Sequence, residues 1–240
     1  MRSFNELPLD ETSKTALIDH LNTRKIYRPS EIQAMTFDRI YEDSNIYAIA
    51  QTGSGKTISF LIPILCNLTD EKAVQAIIIA PTEELAIQIY KEGKAILSTR
   101  KTINNNLALL NGSGNLNRQI NNLRSDKPSV VVGTPGRILQ LIDMKKIKVH
   151  TVDFLVLDEA DKLAEKSYVK DVEAIRKKCM RDIRIFFFSA TSSERSRKLA
   201  QTLCQNILYL EKGSECKIPT TIAHTDEQEE DENGVLGQMR

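Results

Sequence analysis

The sequence predicts an α/β fold, in which a mostly parallel β-sheet is flanked by helices on both faces. Short runs rich in Ile, Val, Leu and Phe alternate along the chain with longer stretches of helical pattern, as in folds built from alternating strands and helices. Most of these runs are continuously apolar, which is typical of strands buried on both faces. A glycine-rich turn also follows the first run and precedes a helical stretch.

The apolar runs are the predicted strands, and the stretches between them are predicted helices. The strands are expected at 45–50, 74–80, 105–111, 129–133, 153–158, 184–189 and 206–211. The helices are expected at 10–22, 30–42, 83–97, 115–124, 168–180 and 192–203, with a further helix beginning at the glycine-rich turn. Ligands of such sheets bind at the carboxyl ends of the strands, so a site is expected in the segments that follow them.

Composition indicates a folded domain and excludes several classes of protein. The chain has 240 residues, of which 41% are hydrophobic, and a net charge of +1. This charge provides no general basic field, so any contact with nucleic acid would come from a local patch. No apolar stretch approaches the roughly 18 to 20 residues of a membrane-spanning helix, and the N-terminus lacks the apolar core of a signal peptide. Four cysteines without paired spacing fit a reducing compartment, so we expect a cytoplasmic protein, not a membrane protein, and a monomer by default.

One domain is expected over residues 1–211. The apolar pattern fades after residue 212, and residues 225–232, "TDEQEEDE", are almost entirely acidic or polar. Such a segment cannot bury enough apolar surface to fold by itself. Residues 212–240 are therefore expected to be an acidic linker or tail.

Residues 50–57, "AQTGSGKT", lie between a predicted strand and a predicted helix and have the pattern of a phosphate-binding loop. Gly53 and Gly55 allow the backbone to curl so that successive N–H groups point at a phosphate. Lys56 would contact the β- and γ-phosphates, and the Thr57 hydroxyl is a candidate Mg²⁺ ligand. The alternative is a glycine turn that binds no ligand.

A second half of such a site is present in "FLVLDEAD", residues 154–161, where a predicted strand ends in two adjacent acids. Asp158 would hold Mg²⁺ through water, and Glu159 would polarise the attacking water. Taken alone, the two acids could equally be a strand end followed by a helix cap. Together with the phosphate-binding loop they predict nucleoside triphosphate hydrolysis.

Six motifs, taken in their order along the chain, resemble those of the first RecA-like domain of the DEAD-box RNA helicases. The resemblance covers roughly residues 4 to 211. It implies a RecA-like P-loop domain of an ATP-dependent RNA helicase, with ATP and Mg²⁺ as cofactors, RNA as partner and a second RecA-like domain in cis, which unwinds short duplexes or remodels RNA–protein complexes. The motifs are "RPSEIQ" (28–33), "AQTGSGKT" (50–57), "PTEELA" (81–86), "TPGR" (134–137), "DEAD" (158–161) and "SAT" (189–191).

The resemblance implies an adenine site at the first motif. The amide of Gln33 can both donate to and accept from an adenine edge, whereas guanine presents the opposite pattern, so ATP is expected over GTP. Phe4 is either the aromatic residue that stacks on the base or an ordinary core anchor. The expected catalytic residues are Lys56, Asp158 and Glu159, and the expected nucleotide-binding residues are Phe4, Arg28, Gln33, Thr52, Gly53, Ser54, Gly55, Lys56 and Thr57.

Two further sets of residues are implied. Asp161 is expected to pair with Ser189 and Thr191, which would couple the nucleotide state to the grip on RNA. RNA contacts are expected to involve the sugar-phosphate backbone. The residues expected to make them are Pro81, Thr82, Gly112, Thr134, Gly136 and Arg137.

The RNA-binding motifs depart from the family pattern at two places. The arginine expected after Thr82 is Glu83, and the expected glycine pair reads "GSG" at 112–114. Weaker or altered RNA binding is therefore expected at this edge. Glu83 could also be an ordinary charge at a helix N-terminus, and Arg137 could make a surface salt bridge.

No stretch resembling the arginine fingers of the second RecA-like domain is present in the sequence. The chain would then be a fragment or a natural short form, which binds adenine nucleotide but hydrolyses it poorly. Two other functions remain open at this point. One is a non-catalytic RNA or protein adaptor, and the other is a different P-loop enzyme, such as a DNA helicase or a small-molecule kinase.

Overall fold

The structure is a computed structural model. It describes residues 3–39, 45–51, 53–71, 73–100, 106–180, 182–211 and, for the backbone alone, 214–218.

The described part of the chain forms one eight-stranded sheet with the order β3-β4-β2-β5-β6-β1-β7-β8. The strands are β1 Asn45–Ile49, β2 Ala76–Ile79, β3 Leu107–Leu110, β4 Val130–Gly133, β5 Phe154–Asp158, β6 Arg184–Ser189, β7 Ile207–Glu211 and β8 Ser214–Ile218. β1 to β7 are parallel, and β8 pairs antiparallel with β7. The predicted fold class and the seven predicted strands are confirmed. β8 was not predicted, and it carries the sheet past residue 211.

Helices cover both faces of the sheet. They are α1 Glu11–Thr23, α2 Glu31–Arg39, α3 Lys56–Asn67, α4 Glu83–Leu97, α5 Leu116–Asp126, α6 Pro135–Asp143, α7 Ala160–Leu163, α8 Val169–Lys178 and α9 Glu194–Leu203. α1 to α4 contribute to the core on one face, and α5 to α9 to the core on the other. The helices expected from the sequence are all present, whereas α6 and the single turn α7 were not predicted.

The two cores explain why the strands are continuously apolar. Successive side chains of a strand point to opposite faces of the sheet. Ile46 and Ala48 lie in the core under α1 to α4, whereas Tyr47 between them lies in the core under α5 to α9. Both faces are buried, so neither leaves a place for a polar residue.

Strand order sorts the motifs along the carboxyl edge of the sheet. The segments that follow β3, β4 and β2 are neighbours, and they contain "GSG", "TPGR" and "PTEELA". The segments that follow β5, β6 and β1 are also neighbours, and they contain "DEAD", "SAT" and the glycine-rich turn. The edge therefore has two halves, the first with the expected RNA contacts and the second with the expected phosphate site.

Candidate nucleotide site and nucleic-acid interface

The glycine-rich turn after β1 has the backbone shape that a phosphate cradle requires. Gly53 and Gly55 have φ angles of 83° and 88°, a left-handed conformation that residues other than glycine rarely adopt. Gly55 is the N-cap of α3, so the helix begins at Lys56 and directs its positive end at the turn. Thr52, which the sequence analysis includes in the nucleotide site, lies outside the described residues.

The buried side chain of Gln33 ties the start of α2 to this turn. Its Nε2 donates to the carbonyl oxygen of Gly55 at 3.1 Å, and its Oε1 accepts from the backbone N–H of Ser30 at 2.9 Å. The Ser30 hydroxyl donates to the carbonyl oxygen of Ser54 at 3.0 Å. The sequence analysis missed these contacts, although Ser-x-x-Gln is the pattern in which a Gln side chain returns to the N-cap N–H of its own helix.

A cavity of about 580 Å³ lies between this turn, the segment before α2 and the end of β5. It brings together most of the residues that the sequence analysis assigns to the nucleotide. Seven further residues line it that were not predicted for the site from the sequence. The predicted residues that line it are Arg28, Gln33, Gly53, Ser54, Gly55, Lys56, Thr57, Asp158 and Glu159, and the additional ones are Arg24, Ile26, Ser30, Ile58, Leu85, Gln88 and Glu92.

Phe4 does not line this cavity. Its side chain is 3% exposed and belongs to the core under α1 to α4, with its ring centroid 6.4 Å from that of Phe37. Burial of both faces of the ring in the core leaves none for a base. The assignment of Phe4 to the nucleotide site was therefore wrong, and Phe4 is a core anchor, the alternative that the sequence left open.

Lys56 and Asp158 form the polar floor of the cavity. The Lys56 Nζ is buried and has no hydrogen-bond partner among the described residues. Asp158 is 4% exposed, and this burial raises the pKa of its carboxyl to about 6, although the charge of Lys56 opposes the rise. A buried ammonium group without a partner is costly, and a phosphate in the cavity would satisfy it.

Glu159 follows β5 in a left-handed conformation, with φ of 51° and ψ of 52°. Its backbone N–H donates to Asp158 Oδ1 at 3.0 Å, so the two acids are held by one tight turn. Its side-chain Oε2 lies 2.8 Å from Lys162 Nζ. The hydrogen bond and charge of Glu159 raise the pKa of Lys162. The carboxylate expected to act on water is therefore ion-paired in this structure.

The segments that follow β5 and β6 are connected by one of the expected contacts. Thr191 Oγ1 donates to Asp161 Oδ2 at 2.9 Å. Ser189 is fully buried, and its Oγ accepts from the backbone N–H of Thr191 at 3.4 Å. Asp161 thus contacts Thr191 directly, whereas Ser189 supports the turn.

On the other half of the edge, Thr82 and Thr134 are the N-caps of α4 and α6. The Thr82 Oγ1 accepts from the N–H of Leu85 at 3.3 Å, whereas Thr134 makes no side-chain cap hydrogen bond. Pro81 is buried and Gly136 is exposed. The free hydroxyl of Thr134 and the exposed backbone at Gly136 leave donors available at this helix end.

Arg137 holds the turn at 112–114. Its guanidinium donates to the carbonyl oxygens of Gly112 at 2.8 Å and Gly114 at 3.0 Å, and to Gln119 Oε1 at 2.9 Å. Hydrogen bonds to two backbone carbonyls and one side-chain amide therefore occupy this arginine. The three acceptors come from segments that are 18 to 25 residues away in the sequence, which sequence reasoning did not foresee.

Glu83 contacts the N–H groups of the same turn, whereas Arg137 contacts its carbonyl oxygens. Its Oε1 accepts from the N–H of Ser113 at 2.7 Å, and its Oε2 accepts from the Ser113 hydroxyl and, at 3.4 Å, from Asn111 Nδ2. The hydrogen bonds from Ser113 lower the pKa of Glu83, and the charge of Arg137 contributes in the same direction. Glu83 is therefore more than a charge at the start of α4.

Comparison with known proteins decides the family. A model of the DEAD/DEAH box helicase family matches residues 30–200. The chain belongs to this family. Membership confirms the resemblance found in the sequence and decides against a small-molecule kinase.

Relatives in this family have both sequence and structure in common with the chain. The DEAD-box ATP-dependent RNA helicase CshC of Bacillus cereus is 37% identical over 175 residues, which are 72% of this chain and 44% of that protein. The crystal structure of a DEAD box protein from Methanococcus jannaschii matches with a TM-score of 0.78 and 34% identity, over 87% of this chain and 55% of that one. Saccharomyces cerevisiae Dbp5 bound to RNA and ADP BeF3 matches with a TM-score of 0.74 and 27% identity, over 88% of this chain and 52% of that one.

The chain spans between 37% and 60% of the length of three curated relatives that it matches. Within the described residues, no helix has the length and apolar character needed to cross a membrane. The same residues contain no group of three or more His, Cys, Asp or Glu side chains that could hold a metal ion.

Proposed function

We propose that the chain is the ATP- and Mg²⁺-binding domain of an ATP-dependent RNA helicase, which couples ATP hydrolysis to RNA duplex unwinding or RNA–protein remodelling. The observation that carries the proposal is the buried Nζ of Lys56, which has no partner among the described residues and lies beside Asp158 in the cavity at the glycine-rich turn. An ammonium group placed in this way is complementary to the triphosphate of a nucleotide. The names of the relatives support ATP and RNA as the ligands.

Different residues of the cavity are proposed to bind different parts of the nucleotide. The amides of 53–56 and the positive end of α3 would bind the phosphates, with Lys56 at the β- and γ-phosphates. Thr57 and, through water, Asp158 would hold Mg²⁺ together with phosphate oxygens, because Mg²⁺ commonly keeps several waters and binds few protein carboxylates. When bound, the ion neutralises charge that develops on the phosphates.

Glu159 is the candidate to orient and polarise the attacking water. Its Oε2 is paired with Lys162, which leaves Oε1 to accept a hydrogen bond from this water. Hydrolysis also needs arginine fingers, whose absence can cost about 10³–10⁵ in rate. A second RecA-like domain in cis is the proposed source, so the chain by itself is expected to bind nucleotide and hydrolyse it very slowly. Residues 1–211 are proposed to form the domain, whose sheet β8 extends to Ile218, and the acidic segment within 212–240 that follows β8 is proposed to be a linker, in a cytoplasmic monomer.

Gln33 and Arg28 are the proposed adenine contacts, because both line the cavity next to the phosphate site. The amide of Gln33 already binds Gly55 and Ser30. Each amide oxygen accepts two hydrogen bonds and each NH₂ donates two, so one donor and one acceptor position remain for a base. Adenine recognition and the shape of the glycine-rich turn would then both depend on the side chain of Gln33.

RNA is proposed to bind at the other half of the edge through backbone phosphates. The proposed donors are the hydroxyls and amides around Thr82, Thr134 and Gly136. The guanidinium of Arg137 and the N–H groups of the 112–114 turn are further candidates. The contact of Asp161 with Thr191 connects the end of β5, in the nucleotide site, to the end of β6. A change at the γ-phosphate that moves Asp161 would therefore move the segment after β6 as well.

Calorimetric titration with Mg·ADP and Mg·GDP tests the proposal. The wild-type chain should bind ADP and not GDP, and Gln33→Ala should lose this preference. Lys56→Ala should bind neither, because it removes the one mobile charge at the phosphates. Lys162→Ala is the matched control, since it removes an exposed lysine next to the site that does not line the cavity, and it should retain ADP binding. If the folded wild type binds neither nucleotide, the nucleotide proposal fails and a non-catalytic adaptor becomes the better reading.

A further inference from the structure

The turn at residues 112–114 presents its carbonyl and amide groups to different partners. Its carbonyl oxygens at Gly112 and Gly114 accept from Arg137. Its N–H at Ser113 donates to Glu83, as does the Ser113 hydroxyl. Arg137 thereby fixes the turn in a conformation whose donors face away from the guanidinium and towards the start of α4.

These donors form a site for an anion, and the chain supplies the anion itself. An ionised carboxylate only accepts hydrogen bonds, and both oxygens of Glu83 are used by the turn and by Asn111. The absence of a side chain at Gly112 permits the approach, because a Cβ built there would lie 3.0 Å from Glu83 Oε1. A phosphodiester has the same two features, negative charge and acceptor oxygens.

We propose that the carboxylate of Glu83 occupies a site on the 112–114 turn that otherwise binds a phosphate of the RNA backbone. Glu83 is then a residue that sets RNA affinity, since an RNA phosphate binds at this turn only by displacing the carboxylate and overcoming its repulsion. The inference depends on the RNA binding proposed above. Glu83 would then compete with RNA for the turn, in addition to lacking the RNA contact of the arginine expected at this position.

A purely structural role for Glu83 would change RNA affinity in the opposite direction. If Glu83 merely held the turn in shape, its removal would loosen the donors and weaken RNA binding. If it were a remote charge, any acid on the same helix turn would act equally. Glu84 provides that comparison, because it is the next residue in the first turn of α4 and its side chain is exposed.

The first experiment measures binding of a short labelled oligouridylate to the 240-residue chain over a series of salt concentrations, with Mg²⁺ and a non-hydrolysable ATP analogue. Glu83→Ala should bind at least about threefold more tightly than wild type at low salt, and the slope of log K against log salt should steepen, because salt screens the repulsion that Glu83 exerts on an RNA phosphate in the wild type. Glu84→Ala should leave the slope unchanged. Equal or weaker binding by Glu83→Ala, or the same gain in Glu84→Ala, would overturn the inference.

A second measurement does not depend on RNA. Inorganic phosphate is titrated at constant ionic strength while the backbone amide of Ser113 is followed by NMR, which also reports whether each variant is folded. In Glu83→Ala this amide should shift and saturate, whereas in wild type it should not respond. No response in Glu83→Ala means that the turn is no anion site, and the inference fails even if RNA binds. Phosphate binding at the turn without RNA binding by any variant would refute the proposed RNA function instead, and with it RNA as the ligand displaced by Glu83.

Discussion

Gln33 and Gly55 are in contact across 22 residues of sequence, because the Nε2 of Gln33 donates to the carbonyl oxygen of Gly55 at 3.1 Å. A Cβ built on Gly55 would lie 2.3 Å from that same nitrogen. Two constraints therefore favour glycine at position 55. Its φ of 88° is left-handed, and the Gln33 amide leaves no room for a Cβ. The glycine-rich turn and the start of α2 form one unit.

A first prediction compares the two glycines of the turn. Gly53→Ala should lower the free energy of unfolding by about 1–2 kcal/mol, the ordinary cost of a left-handed conformation, because its Cβ would meet nothing within 4 Å. Gly55→Ala should cost at least about 1 kcal/mol more, since the buried amide of Gln33 must also move. Urea unfolding of both variants measures the difference.

Removal of the Gln33 side chain should separate the cost of the left-handed backbone from the cost of the steric contact with Gln33. In a Gln33→Ala background, the additional cost of Gly55→Ala over Gly53→Ala should shrink, because the space is then open. Equal costs of the two substitutions in the wild-type background would mean that the contact does not constrain Gly55.

A second prediction concerns Asp158 and pH. Its pKa in the folded protein, about 6, lies above its ordinary value of 3.8, so the folded state binds the proton more tightly than the unfolded state. The free energy of unfolding should therefore fall as pH rises between about 4 and 6, by roughly 3 kcal/mol from this group. Chemical unfolding in EDTA across this range measures the slope.

Asp158→Asn should remove this part of the pH dependence, because the amide does not titrate. Lys56 loses its counter-charge in the variant at every pH, so the slope, and not the absolute stability, is the quantity to compare. An unchanged slope in Asp158→Asn would show that its carboxyl titrates normally.

A third prediction concerns the hydrogen bond between Thr191 and Asp161. Thr191→Val and Asp161→Ala should each destabilise the chain, and the double variant should cost less than the sum. The expected coupling is about 0.5–1.5 kcal/mol, the usual net value of one hydrogen bond. Thermal unfolding of the four proteins completes the cycle. Strictly additive costs would mean that the two side chains act independently.

A fourth prediction concerns Lys25, which has a φ of 60° just after α1. Its N–H donates to the carbonyl of Asn22, and the N–H of Ile26 donates to that of Leu21, which is the helix ending that glycine favours. Lys25→Gly should raise the free energy of unfolding by about 0.5–1 kcal/mol, because relief of the left-handed strain outweighs the greater entropy of the unfolded chain.

The control for that substitution is Lys148→Gly, at a position with a negative φ of −88°. It should destabilise the chain, since glycine brings only the entropic cost there. Differential scanning calorimetry on both variants measures the signs. A loss of stability in Lys25→Gly would indicate that the lysine side chain contributes more than its backbone conformation costs.

The fold could be predicted where the signal was local. The seven parallel strands could be found because burial on both faces leaves a continuous apolar run in each strand. α7 and β8 could not, because a four-residue helix carries almost no periodicity and β8 depends on the edge that β7 offers. α6 was hidden because its first residues form part of the "TPGR" motif, which reads as a turn.

The sequence by itself determined the α/β class, the glycine-rich turn and the acids at the end of β5, because glycine conformation, helix capping and strand burial act over a few residues. Only the tertiary structure decided the partners of Gln33, Arg137 and Glu83, and the burial of Phe4 in the core. These contacts join segments that strand order brings together, and strand order is set by packing of the whole sheet. For this reason the acid that replaces an expected arginine could be read as a departure in the sequence, while its place on the amides of the 112–114 turn became visible only in the fold.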